Sequence, residues 1–466
     1  MRFIHIAIFL NFLLGSDVDM PDFLYALLAP LDSSSSSRIS SISSGTADGT
    51  EEWGYTDVRP GAHMFWWLYY SNIILQTDVP LVLWIQGGPG ASGVGFGNFQ
   101  EVGPLTTDLE PRESTWLNVA HLLFVDNPVG TGFSYVDNTS LLSRNNDDAT
   151  ADLLAFLREF FQIHEALRTV PFYIVAESYG GKFASQLGVA LQRKRISSTL
   201  DFNFQGIALG DTWISPIDFL FAWGPLLKSF SEIDEAGNDV LLRFAQAAEK
   251  EMMKGNFTNA TLIWADMEEA VLGLTDNVDF YNLLQHETSS DSSSYGTSLE
   301  KTAARHLRVT QTTNLTQVMN GPIRKKLGII PSTVSWSQSS GAVFGAFVGD
   351  FMKDTISQVD ELLALNVNLT IYSGQLDLIC CTAGTDAWLQ KLKWAELTSF
   401  NNAHRSPLYC SEGGKTAAFI KKHKNLTFYW IMDAGHMVPT DNPCMALRML
   451  KMITGQSTEN VKVQAG

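Results

Sequence analysis

PFYIVAESYGGKFASQLGVAL, from Pro171 to Leu191, decides the fold. A short apolar run, Phe172 to Ala176, has the composition of a strand buried on both faces. It passes into Glu177-Ser178-Tyr179-Gly180-Gly181, and helical spacing follows. A strand, a sharp turn carrying one serine and a helix make the setting in which a hydroxyl becomes a nucleophile. The turn strains the serine backbone and brings other chain close, so its neighbours must be small, as Ala176, Gly180 and Gly181 are. The helix start also aims N–H groups and positive partial charge at the hydroxyl. A serine before a helix can be an ordinary cap. The buried strand, the adjacent Glu177 and the paired glycines favour the nucleophile.

Further runs of the same kind lie on either side. PLVLWIQ (Pro80–Gln86), HLLFVDN (His121–Asn127), FQGIALGD (Phe204–Asp211), NLTIYSGQ (Asn368–Gln375) and LTFYWIMD (Leu426–Asp433) all read as strands of a mostly parallel sheet. Ala151 to Leu167 carries Leu153, Leu154, Phe156, Leu157, Phe160 and Phe161 on one broad apolar face and reads as a helix between two strands. Strands alternating with helices predict an α/β fold. EEWGYTDV and HMFWWLYYS flank Arg59-Pro60-Gly61 and read as an antiparallel pair at a sheet edge.

These signals divide the chain. Residues 1–16 read as a signal peptide, with Arg2 ahead of an apolar core from Ile6 to Leu14. Residues 17–50 include the Ser-rich stretch Ser33–Ser44 and read as a flexible lead-in. The first part of the core is expected at 51–212. At 213–335 the pattern turns helical and polar without a buried strand, which predicts a cap inserted over the active-site end of the sheet. The second part of the core is expected at 336–456, with a tail at 457–466. Within the cap, HETSSDSSSYGTS (His286–Ser298) reads as a solvated loop open to proteolytic nicking.

The chain has 32 basic and 49 acidic residues, a net charge of −17, and no long basic run. Nucleic acid is therefore excluded as an expected partner. No apolar run after the signal is long enough to span a bilayer. Secretion agrees with six glycosylation sequons, at Asn138, Asn256, Asn259, Asn314, Asn368 and Asn425. Asn368 and Asn425 stand out because they sit in strand-like runs. Cys380, Cys381, Cys410 and Cys444 allow up to two bridges in an oxidising compartment, and none forms the CxxC spacing of a zinc site. No metal or organic cofactor is expected.

A serine hydroxyl needs a base, and the base needs an orienting group. His436 lies on a loop after the run Leu426–Ile431, where a base belongs; His63, His121, His164 and His404 lack that setting. For the orienting acid, Asp377 follows a separate strand and is favoured. Asp433, three residues before His436, stays a rival on spacing alone. The Gly-rich turn Gln86-Gly87-Gly88-Pro89-Gly90 can present N–H groups to an oxyanion, and Gly88 would pair with Tyr179, the residue after the serine.

Taken together, WIQGGPG (Trp84–Gly90), FVDNPVGTGFSY (Phe124–Tyr135), ESYGGKF (Glu177–Phe183), YSGQLDLI (Tyr372–Ile379) and AGHMVPTDNP (Ala434–Pro443) resemble the serine carboxypeptidase family of α/β hydrolases. GFGNF (Gly95–Phe99), LGDTWISP (Leu209–Pro216) and NGPIRKKLGIIP (Asn320–Pro331) resemble one branch of it. The resemblance implies an α/β-hydrolase fold with a helical cap. It implies a triad of Ser178, Asp377 and His436, oxyanion donors at Gly88 and Tyr179, and a site for the substrate's C-terminal carboxylate at Gln86, Gly87, Glu177 and Glu101. Glu101 matches the family acid that shares a proton with Glu177. The family's usual Asn before the twin glycines is Gln86 here, and its usual Cys after GGPG is Ala91, so one family disulfide is absent.

The expected activity is release of C-terminal amino acids through an acyl-enzyme. Burial and a second acid would raise the pKa of Glu177, keep it neutral beside a carboxylate substrate, and favour acidic pH. Peptide and protein C-termini are the expected substrate, the secretory pathway to the outside or to a lysosome or vacuole the expected location, and a homodimer stays open. The competing readings are an acyltransferase or esterase on the same triad, and a secreted binding protein without catalysis.

Overall fold

The computed structural model describes residues 41–71, 79–286, 297–309, 313–411 and 413–456. The signal peptide, most of the lead-in, residues 287–296 of the Ser-rich loop and the tail lie outside the described residues.

All six runs read as buried strands are neighbours in one sheet. They are β4 (Leu81–Ile85), β5 (His121–Val125), β7 (Phe172–Glu177), β8 (Phe204–Gly210), β9 (Asn368–Gly374) and β12 (Leu426–Ile431). They lie in the order β5-β4-β7-β8-β9-β12, and every pairing among them is parallel. The expected antiparallel pair is β2 (Glu51–Arg59) with β3 (Ala62–Tyr69), joined to β5, while β6 (Tyr135–Val136) pairs with the far end of β3. At the other side, β11 (Thr416–His423) and β10 (Ser406–Tyr409) extend β12 antiparallel.

The Ser-rich stretch needs a correction. β1 (Ser41–Gly45) pairs antiparallel with β2, so ordered structure begins inside the segment expected to be a flexible lead-in through residue 50. The edge strand β2 offers unpaired backbone groups, and a short Ser-rich strand can satisfy them without apolar side chains.

Helices pack on both faces. Helix α1 (Asn146–Ile163) starts five residues before its expected position because the Asn145 side chain caps it, accepting from the Asp148 N–H. It buries Leu153, Phe156, Leu157, Phe160 and Phe161. Helix α2 (Gly180–Ile196) follows β7 directly. Between Trp213 and Trp336 the described residues form helices, including α3 (Pro216–Ser229), α4 (Glu235–Met253) and α5 (Phe257–Thr275). Among the described residues no helix is long and apolar enough to cross a membrane.

Candidate active site

The residues that could react stand where parallel strands end. Ser178 follows β7 with φ of 58°, a left-handed conformation that costs a non-glycine residue energy. The fold holds it there. Its N–H donates to the Gly210 carbonyl (3.0 Å), and its own carbonyl accepts from the N–H groups of Trp213 (3.0 Å) and Gly181 (3.1 Å). The glycines leave no room for side chains: a Cβ on Gly180 would stand 2.4 Å from the Ile85 oxygen, and one on Gly181 would stand 2.3 Å from Thr212 Cγ2.

His436 and Asp377 arrive from the ends of β12 and β9. The His436 backbone N–H donates to the Tyr281 carbonyl (2.8 Å), and its ring meets the Tyr281 ring edge-on at 5.0 Å. Nδ1 of His436 lies 2.8 Å from Oδ2 of Asp377, which is fully buried. The second Asp377 oxygen accepts from the Cys380 N–H (3.1 Å). Asp433 turns outward and pairs with Lys415 at 2.7 Å, which removes it as the rival orienting acid. With Nδ1 occupied, Nε2 is the nitrogen left for proton transfer. Ser178 and His436 line one cleft, together with Gly87, Gly88 and Tyr179.

The Gly-rich turn is pressed against the serine. A Cβ on Gly87 would stand 2.6 Å from Ser178 Cβ and 2.8 Å from the Tyr179 nitrogen, and Gly88 has φ of 107°. Only glycine allows that approach. Beyond the turn, Ser92 Oγ donates to buried Asp126 (2.6 Å), which also accepts from the N–H groups of Val94 (3.1 Å) and Phe133 (2.8 Å). Burial pushes Asp126 up to about 7 despite those bonds.

Glu177 and Gln86 line the same cleft, with Glu101 behind them. Trp84 Nε1 donates to the Gln86 oxygen (2.6 Å), which fixes the amide so that its nitrogen donates to Glu177 Oε1 (2.7 Å). The longer side chain at this position is thus held at both ends. The Glu101 carboxyl is within hydrogen-bonding reach of both Glu177 and Gln86. Neither Glu101 oxygen, nor Oε2 of Glu177, receives a well-formed hydrogen bond from a protein donor. A carboxyl protonated at either position would have a hydrogen to donate to the other. Burial, and secondly Glu101, raises Glu177 well above the carboxylate range, and burial pushes Glu101 up to about 7.

Trp264, Tyr281, Phe344 and Phe351 line the cleft from outside every quoted motif. The cleft walls are Phe96, Trp213, Trp264, Tyr281, Phe344 and Phe351, drawn from segments far apart in sequence. The Tyr179 hydroxyl donates to Asp350 (3.0 Å), and the buried Lys182 ammonium donates to the carbonyls of Phe351 (2.8 Å) and Asp350 (3.3 Å). These bonds tie the Phe351 wall to the serine turn.

Of the four cysteines, Cys410 and Cys444 form a disulfide, and Cys380 and Cys381 are buried free thiols. Five sequon asparagines, 138, 256, 259, 314 and 368, are exposed or half-buried. Asn425 is half-buried as well, and its amide nitrogen donates to the carbonyls of Val367 (2.8 Å) and Leu363 (3.1 Å). Both of its amide hydrogens are used inside the fold.

A serine on a strained strand–helix turn, a histidine–aspartate pair from later strands and a glycine turn beside them define an α/β-hydrolase site. The comparisons narrow the class. Residues 43–456 match the family model described as serine carboxypeptidase, and the chain belongs to that family. It is 48% identical over 419 residues to mouse retinoid-inducible serine carboxypeptidase, covering 88% of this chain and 92% of that protein. It is 46% identical over 428 residues to serine carboxypeptidase-like 51 of Arabidopsis thaliana, covering 88% and 93%. The solved structure of the Saccharomyces cerevisiae prohormone-processing carboxypeptidase Kex1 superposes with a TM-score of 0.75 at 19% identity, covering 87% of this chain and 91% of that one. The chain is a serine-type carboxypeptidase.

Proposed function

We propose that Ser178 is the nucleophile that attacks the last peptide carbonyl of a peptide or protein chain. His436 takes the serine proton through Nε2 and passes it to the leaving amine, while Asp377 holds the ring and stabilises its cation. The N–H groups of Gly88 and Tyr179 receive the oxyanion. The C-terminal amino acid leaves, and water, activated by the same imidazole, releases the acyl group. Glu177, kept neutral, donates to the substrate carboxylate, with Gln86 and Gly87 beside it and Glu101 holding the shared proton. Acidic pH therefore favours binding, which suits a protein of the secretory pathway that works outside the cell or in an acidic organelle, with glycans at Asn138, Asn256, Asn259, Asn314 or Asn368.

One observation carries this reading: two buried glutamates, Glu101 and Glu177, and a histidine–aspartate pair are gathered at the same strained serine. The test is a pair of peptides, one with a free C-terminus and one amidated. The free acid is expected to be cleaved far faster at pH 5. Equal cleavage of both would remove the carboxylate-directed reading and leave a general esterase or amidase.

A further inference from the structure

Four buried carboxyls lie beneath the cleft: Glu101, Glu177, Asp211 and Asp377. The mechanism above uses three of them. Asp211 is the first residue after β8, in LGDTWISP, and has φ of 45°. Its N–H donates to the Tyr372 carbonyl (2.9 Å), and its Oδ1 accepts from the Gly374 N–H (2.7 Å). Asp211 thus bridges the ends of β8 and β9, directly under the turn that carries Asp377. The Asp377 carboxyl is within hydrogen-bonding reach of the Asp211 carboxyl.

We propose that Asp211 is a positioning residue that keeps its proton in the working enzyme and donates it to Asp377, so that the two carboxyls share one negative charge and Asp377 is held at the His436 ring. The proposal rests on the reading of Ser178, His436 and Asp377 as the catalytic set.

Three observations support it. Oδ2 of Asp211 is buried and receives no well-formed hydrogen bond from a protein donor, whereas a protonated carboxyl can donate. The titratable groups that face Asp211 are Asp377, Glu177, Tyr372 and Cys380, all acids, with the Ser373 hydroxyl beside them; His436 lies beyond Asp377. Burial, followed by Asp377, raises Asp211 well above the carboxylate range. Two adjacent buried carboxyls cannot both ionise cheaply, and the one without a cationic partner keeps the proton. Asp377 has the imidazole, so the proton falls to Asp211. Its hydrogen bond draws charge from Asp377, which weakens the preference for the imidazolium and extends activity to lower pH.

The test compares Asp211→Asn with Asp211→Ala. Asparagine supplies a neutral donor in the same space at every pH. Alanine removes the donor and leaves the Asp377 charge unshared. D211A is expected to lose roughly tenfold in kcat with little change in KM, and its acid limb should move up by about one pH unit. D211N should restore kcat to within about threefold and return the acid limb to its wild-type position. A D211A profile like wild type, a D211N profile like D211A, or a D211N protein unable to fold would each overturn the proposal. An infrared difference spectrum, wild type minus D211N at pH 8, reads the proton without using activity. A protonated-carboxyl carbonyl band supports the proposal, and its absence overturns it. Failure of the catalytic reading would show separately, as a wild-type Ser178 that a phosphonate does not label.

Discussion

Replacing Glu177 by Gln tests how the cleft recognises a C-terminus. In the wild-type protein, burial and Glu101 keep Glu177 neutral, and the pair begins to ionise where Glu101 titrates, at about 7. On the proposed reading, a neutral Glu177 below that pH donates a hydrogen bond to the substrate carboxylate. Above it, substrate must bind together with a proton, which costs about 1.4 kcal/mol, or tenfold in affinity, per pH unit. The ceiling is the repulsion between two carboxylates about 4 Å apart, roughly 4 kcal/mol at an effective dielectric constant near 20. Half of the pair is already ionised at pH 7, so KM for a free-acid peptide should rise about fivefold from pH 7 to pH 8 and approach tenfold per unit above that. Glu177→Gln removes the ionising group that lines the cleft while keeping a donor, so the rise should flatten and KM at pH 8 should fall below the wild-type value. The assay is KM against pH with a slowly cleaved peptide, for which KM approximates the dissociation constant. An amidated peptide serves as control and should show no rise. An unchanged rise of about fivefold in the variant, or the same rise with the amide, would refute the reasoning.

Other expectations follow from the same geometry. Asp126 and Glu101 have folded-state pKa values raised to about 7, above the unfolded values, so the protein should be most stable at low pH. That stability should be lost as pH climbs from about 4 through 7, by several kcal/mol in order of magnitude; melting curves at pH 5 and pH 8 check it, and a higher midpoint at pH 8 contradicts it. Gly87→Ala places a methyl 2.6 Å from Ser178 Cβ and 2.8 Å from the Tyr179 nitrogen, so kcat should fall at least about 10²-fold in folded protein; activity within threefold of wild type would show that the approach is not needed. Cys444→Ser opens the bridge to Cys410, 34 residues away in sequence, and chain-entropy arguments predict a loss of about 4 kcal/mol in a denaturant titration.

The central sheet was legible because its six parallel strands are covered on both faces and are written as continuous apolar runs. β11 was not, since its half-exposed sequence TAAFIKKH carries only part of the alternation of an edge-side strand. β1 was hidden by serines: it pairs with β2 through the backbone, and Ser43, Ser44 and Gly45 are exposed. Within the site, Ser178 was legible from local sequence, because its turn dictates small neighbours. The choice of Asp377 over Asp433 needed either the family resemblance or the coordinates. Asp211 went unnoticed because an aspartate ending a strand looks like a solvated turn residue. Only the pairing of β8 with β9 reveals that it lies under Asp377. The aromatic wall of Trp264, Phe344 and Phe351 was illegible for a related reason: these rings meet only in space.

The most direct test of the account is covalent labelling of the folded protein at pH 5 with a peptidyl phosphonate, read by intact mass and peptide mapping. The account predicts one adduct per chain, on Ser178, formed in step with loss of peptidase activity and abolished by Ser178→Ala. An active protein that takes no adduct, or one labelled elsewhere with Ser178 untouched, would contradict it.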